Sequence, residues 1–263
     1  GPTALAKRVE QEKRLGEVTA TLAELDRQHR LLELIAGGRT LIPATFQSEA
    51  GAMGMIADDG SIAVSGKLAK DKYVVETVMP DGLKARYVRL QALPEAALPA
   101  SGPGRASDGN YVVSRFSASF VPPDRQAEPT AVKFVSAQAD FEQTNFAVQS
   151  ALDNDLKDGW AVSPQFGKAH VAVFDVAPET VIPAGSRLRV TIEHQYANQH
   201  SLGKFRLSVA ETLTTAPPAE TTQRQELIST RDRLQKELAD PVPLAMAVTD
   251  GGTPGGLFPG IQD

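Results

Sequence analysis

The chain has 263 residues, 41% hydrophobic and 22% charged, with 18 prolines and 21 glycines, the make-up of a globular protein rich in turns rather than a disordered one. A balance of 27 Lys and Arg against 32 Asp and Glu gives a net charge of −5 with no basic run, which argues against nucleic acid as a partner. With no cysteine the chain has no disulfide, thiol nucleophile, zinc-thiolate centre or covalent c-type haem, and it holds no apolar run long enough to span a bilayer.

Gly1 and Pro2 read as the scar of a cleaved tag, so the chain is taken as an excised piece, and no charged start followed by an apolar segment marks a signal peptide. Residues 3–37 are rich in Ala, Leu, Glu, Lys and Arg and predict a helix that stops at Gly37 and Gly38. Leu15, Val18, Leu22, Leu25, His29 and Leu32 recur at three-and-four spacing, the seam of a coiled coil. A second helix is predicted over 221–239, between Pro217-Pro218 and Pro241, with Leu227, Leu234 and Leu238 on one face. A lone amphipathic helix leaves its stripe in water, so the two are expected to pair as an antiparallel coiled-coil hairpin with everything between them inserted at its tip.

Residues 40–213 have the character of strands. Leu188, Val190 and Ile192 alternate with Arg187, Arg189, Thr191 and Glu193, and Phe205, Leu207 and Val209 alternate with Lys204, Arg206 and Ser208. Val112, Phe116 and Phe120 give one buried parity, with Tyr111, Val113, Arg115 and Ser117 opposite. Val88 and Leu90 likewise oppose Tyr87, Arg89 and Gln91. Further strands are predicted over 73–79, 130–139 and 169–176. Many short strands punctuated by Gly, Pro and Asp define a mainly β fold, a β-sandwich of the jelly-roll type. The tail, 240–263, is too rich in Gly and Pro for a helix or central strand.

Little in the sequence nominates catalysis. The four histidines are His29, His170, His194 and His200, and no HExxH helix, nucleophile elbow or phosphate loop is present. His194 and His200 bracket the turn "HQYANQH". In "SALDNDLKDGWAV", Asp153, Asp155 and Asp158 offer hard oxygen ligands suited to calcium, or form an Asx-turn loop ahead of a strand. Trp160 stacks on a sugar ring or belongs to the core. Tyr87 and Tyr111, on the polar parity of their strands beside Arg89, Gln91 and Arg115, form a platform for a sugar or ordinary exposed sheet surface. In "SGPGRASDGNYVV", Gly102 and Gly104 are expected to take positive φ in a turn between strands, and Arg105 braces that loop or points at a ligand.

The blocks "RYVRLQALPEAALPASGPGRASDGNYVVSRF", "SALDNDLKDGWAV", "HSLGKFRLSV" and "PVPLAMAVTDGGTPGG" occur here in the order seen in the large exported cytochrome-c-like proteins of planctomycete bacteria, which the chain resembles over most of 80–250. The resemblance implies a galactose-binding-like β-sandwich flanked by coiled coil, with haem confined to a separate domain of the parent protein. The implied function is that of a non-catalytic carbohydrate-binding module of an exported, periplasmic or cell-surface protein, with polysaccharide and neighbouring domains as partners. The binding residues expected of it are Tyr87, Arg89, Arg105, Asn110, Tyr111, Arg115, Trp160, Tyr196 and His200, with calcium at Asp153, Asp155 and Asp158. The alternative is a structural or protein-interaction domain that spaces or docks its neighbours without binding sugar.

Overall fold

The structure is a computed structural model that describes residues 2–35, 38–123, 128–213 and 222–239; the expected Gly/Pro tail lies outside the described residues. Helix α1 spans Pro2–Ile35 and α2 spans Thr222–Ala239. Between them run twelve strands: β1 Arg39–Thr40, β2 Pro43–Ser48, β3 Ala52–Ile56, β4 Ser61–Gly66, β5 Asp71–Val78, β6 Tyr87–Ala92, β7 Arg115–Val121, β8 Thr130–Val132, β9 Phe134–Ala139, β10 His170–Val176, β11 Arg187–His194 and β12 Lys204–Ala210. The chain is mainly β, as its alternating patterns predict.

The strands form two antiparallel sheets. One has the order β3-β4-β12-β6-β10-β9, with β1 also paired to β12, and the other the order β2-β5-β11-β7-β8. Their inner faces share one core. Phe116 of β7 stacks on Phe174 of β10 with ring centroids 3.8 Å apart, and Tyr73 of β5 lies parallel to Phe205 of β12 at 6.1 Å. Each pair joins the two sheets, so aromatic rings fill the space between them. The predicted strand over 130–139 is two strands: it breaks at Lys133, leaving β8 on one sheet and β9 on the other.

The expected wet faces hold for β7 and β11, where alternate residues are buried, and β5 shows the same alternation. They fail for β6, and in β12 at the buried Ser208; β10, beside β6, is buried on both faces as well. Val171 and Val173 pack with Tyr87 and Leu213 on the outer face, and Gly38 lies so close to Arg89 that a β-carbon there would fall 2.0 Å from Nη1. A second covering layer therefore buries Arg89 and Gln91.

The chain divides into two compact units, residues 24–219 and the pair of segments 1–23 and 220–263. In the latter, Val18 and Leu22 of α1 and Leu234 of α2 are buried. Arg8 donates from Nη2 to the carbonyl of Leu238 at 2.9 Å, and Gln11 donates to Glu237. In the former, Arg27 in the last turns of α1 pairs with Glu24 and with the buried Asp140.

Candidate functional site

Five connections leave the same end of the sandwich: β2 to β3, β4 to β5, β6 to β7, β9 to β10, and β11 to β12. The register fixes this, because Asp71 pairs with His194, Arg115 with Glu193 and His170 with Ala92. The second half of the β6–β7 connection, over 102–106 and 109–114, is a buried thread rather than a surface turn. Arg105 N donates to Ser201 O and Val112 N to His200 O on one side, while Val113 and Trp160 exchange backbone bonds on the other. Gly102 takes positive φ as expected (72°), but Gly104 does not. Its place is set by close approach, since a β-carbon there would lie 1.8 Å from Asn110 O.

The thread settles the geometry of several residues expected to meet sugar. Arg105 is buried and braces the end of the sandwich, donating from Nη2 to Gly66 O at 2.7 Å and from Nη1 to the Tyr73 hydroxyl at 3.4 Å. Asn110 is also buried. Its Nδ2 donates to Gln143 Oε1 at 2.9 Å and its Oδ1 accepts from Val162 N at 3.2 Å. Tyr111 and Trp160 are fully enclosed, edge to face at 5.2 Å, and Trp160 Nε1 donates to Phe141 O at 2.9 Å. Burial, with the Asp140 charge adding to it, pushes the Tyr111 hydroxyl well above the ordinary tyrosine range. These positions correct the expected platform: Tyr111 and Trp160 are core, Arg89 is buried under the second layer, and the half-buried Tyr87 packs on Val171 and Val173. Tyr87 and Arg115 also stand on different sheets, so they share no face.

The acidic loop folds as consecutive Asx-turns. Asp153 Oδ1 accepts from Asp155 N at 2.7 Å and Asp155 Oδ1 from Lys157 N at 3.0 Å. Among the described residues no three His, Asp or Glu side chains converge to hold a metal ion. The turns occupy one carboxylate oxygen each of Asp153 and Asp155.

The structure does bring Arg115, Tyr196 and His200 to this end. Arg115 lies 3.5 Å from Glu193 and donates to Asn154 Oδ1 at 2.6 Å. Tyr196 stands edge to face between Phe146, at 5.2 Å, and His200, at 5.4 Å. Beside them opens a cavity of about 430 Å³ lined by Lys70, Leu156, Lys157, Gln195, Tyr196 and Ala197. Gln195 forms part of its wall by donating from Nε2 to Asp71 O at 3.2 Å. Of these six, sequence reasoning had named Tyr196 alone. The β5–β11 ladder ends at Asp71 and His194, which sets Lys70 beside Gln195, and the β9–β10 connection brings Leu156 and Lys157.

A second hollow, also of about 430 Å³, lies on the outer side of the β3–β4 hairpin. Its lining is largely apolar, with Met55, Val64, Leu68, Leu98 and Pro99, and Arg105 and Glu95 at its polar margin. Lys204 bonds to Glu95 at 2.7 Å and holds that carboxyl below its usual range.

No protein-family model matches the chain, and no curated protein matches it. Among solved structures it is similar to the crystal structure of the Agl-KA catalytic domain, at 14% identity and a TM-score of 0.27, over 70% of this chain and 30% of that one. A likeness at that score carries no argument about activity.

Proposed function

We propose that the chain is a non-catalytic carbohydrate-binding module: a jelly-roll, galactose-binding-like sandwich joined to an antiparallel coiled-coil hairpin of α1 and α2, serving an exported multidomain protein of the cytochrome-c-like class. The observation that carries the reading is the cavity at the loop end. It sets the half-buried Tyr196 ring, itself packed on Phe146 and His200, beside the amide of Gln195 and the apolar Leu156 and Ala197. A pyranose needs an aromatic or aliphatic surface for its C–H groups and amides, hydroxyls or cations for its hydroxyls, and both kinds of group line this one volume.

The test is affinity electrophoresis and calorimetry of the whole chain against a broad polysaccharide panel. At least one glycan binds saturably, and Tyr196→Ala weakens that binding tenfold or more while Tyr196→Phe, which keeps the ring packing, weakens it less. A flat result across the panel overturns the reading.

The apolar hollow at the β3–β4 hairpin favours a second reading, a domain that docks its neighbours. Met53 and Met55 point outward from β3, an edge strand, and stand largely exposed, an arrangement suited to a partner's apolar side chains. Met55→Glu abolishes association with flanking domains in sedimentation experiments on that reading, and leaves it unchanged on the first.

A further inference from the structure

Lys70 and Lys157 both line the loop-end cavity, and no acidic side chain does. Among the described residues neither ammonium group has a carboxylate partner. Lys72, Lys133, Lys168 and Lys204 differ, being paired with Glu49, Glu179, Glu24 and Glu95 respectively. Of the acids nearest along the chain, Asp158 stands next to Lys157 with its Oδ1 buried and no ion pair to that lysine, and the others are engaged elsewhere. Asp71 is buried and accepts from Ser48 Oγ, Ala50 N and Lys72 N. Asp153 and Asp155 close their Asx-turns, and Glu193 faces Arg115. Two ammonium groups and no carboxylate line this one concave surface, on a chain whose net charge is −5, so the positive charge here is a feature of the lining and not of a generally basic protein.

We infer that this cavity selects an anionic glycan, one whose sugar units carry carboxylate or sulfate groups, and that Lys70 and Lys157 hold the charged group while Tyr196 and Gln195 hold the ring beside it. This rests on the carbohydrate-module reading and names its ligand class. A neutral sugar would leave both ammonium groups without a counter-charge. An acidic one supplies it, with Leu156 and Ala197 as the apolar floor for its C–H face. The backbone needs nothing from either lysine side chain, since the turn at 155–157 uses Lys157 N alone.

The experiment takes the whole chain against three arms by affinity electrophoresis and calorimetry: polygalacturonate and alginate for carboxylates, carrageenan and fucoidan for sulfates, and laminarin and pullulan as neutral glycans. At 50 mM NaCl one or both anionic arms bind, and the affinity falls at least tenfold at 500 mM as the charges are screened. The Lys70→Gln/Lys157→Gln double variant loses at least tenfold in affinity with an unchanged melting temperature, whereas Lys84→Gln binds as the parent does. The two anionic arms distinguish carboxylate from sulfate. Binding confined to neutral glycans, and equal in the double variant, overturns the anionic assignment and leaves the module reading standing. Equal losses in Lys84→Gln mean general polyanion adhesion and also overturn the assignment. Binding in no arm removes the module reading itself.

Discussion

Gln195 donates its side-chain amide to the main-chain oxygen of Asp71 at 3.2 Å, one residue past the His194–Asp71 pair that ends the β5–β11 ladder. The bond ties the β11–β12 turn to the start of β5, where Tyr196 and Lys70 line the same cavity. Its backbone N is anchored too, donating to Ser114 Oγ at 3.2 Å. Gln195→Ala removes the side-chain bond and keeps the backbone one. The expected loss is about 1 kcal/mol of stability, read as a lower urea midpoint with an unchanged slope. Glycan affinity falls with it, because the wall carrying Tyr196 is no longer held; an unchanged affinity would show that the wall needs no such tie.

His194 gives the sandwich a built-in acid sensitivity. It is sealed in the core, donating from Nδ1 to Val112 O at 2.7 Å, with its ring edge-on to Tyr73 at 4.8 Å. Burial pushes its pKa down to about 4, and neither the carbonyl bond nor the Asp71 charge, which pull upward, restores it. The unfolded chain takes up this proton near pH 6.5 and the folded chain only near pH 4. The unfolded state therefore binds more protons in that window, and stability falls as pH drops through it. The contribution is full above about pH 6.5 and is lost by about pH 4, amounting to roughly 3 kcal/mol. His194→Asn keeps an N–H for Val112 O and removes the titration. Urea midpoints at pH 7.5, 5.5 and 4 should fall more steeply for the parent chain than for the variant; parallel curves would contradict the assignment.

Much of this architecture was legible where one sheet face is wet. Leu188, Val190 and Ile192 in β11 are buried at alternate positions, as their pattern predicts, because Arg187 and Arg189, on the opposite parity, meet solvent. The pattern misleads at Arg89 and Tyr111, which sit among polar neighbours in sequence but lie under a second layer and inside a buried thread. Alternation reports that two sides differ and does not report what covers the second side. Neither does it say which sheet a residue joins, so the break at Lys133 between β8 and β9 was invisible. The cavity was the least legible feature. Lys70, Lys157 and Gln195 carry no motif; strand register sets Lys70 beside Gln195, and a loop brings Lys157 to them.

Asp140 is the buried acid on which the last turns of α1 close. Its Oδ1 accepts from Val171 N at 2.7 Å, while Oδ2 lies 3.0 Å from His170 Nδ1 and 3.3 Å from Arg27 Nη1. The other ring nitrogen of His170 faces Gln165 O at 2.7 Å, so the group also orders the β9–β10 connection. Asp140→Ala strands the buried His170 imidazole and the Val171 N–H together and leaves Arg27 with Glu24 alone, and is expected to cost about 3 kcal/mol or more. Arg27→Ala leaves His170 and Val171 N on the carboxylate and costs less, about 1 kcal/mol. Urea midpoints of the two variants rank them, and equal losses would mean that Arg27 rather than Asp140 is the keystone.

Gly104 makes the sharpest prediction about the thread, because its requirement is steric rather than conformational. A β-carbon there would stand 1.8 Å from Asn110 O and 2.7 Å from Tyr111 N, both main-chain atoms that no side-chain rotation can clear. Accommodating it means parting the two runs of chain that meet at the Gly104 N to Gly109 O bond (2.8 Å), and with them the Arg105 N to Ser201 O bond beside it (2.9 Å). Gly104→Ala is therefore expected to cost about 3 kcal/mol or more, at the upper end for overpacking a core. Gly16, inside α1 with nothing within 4 Å of its missing β-carbon, carries the opposite sign. Gly16→Ala removes backbone freedom from the unfolded chain and adds helix propensity, stabilising its helix by up to about 1 kcal/mol. Thermal melts of both variants followed by circular dichroism, with Trp160 emission reporting on the sandwich core, compare the two directly. A Gly104→Ala sandwich that melts with the parent would mean the thread has slack and does not hold the loop end together.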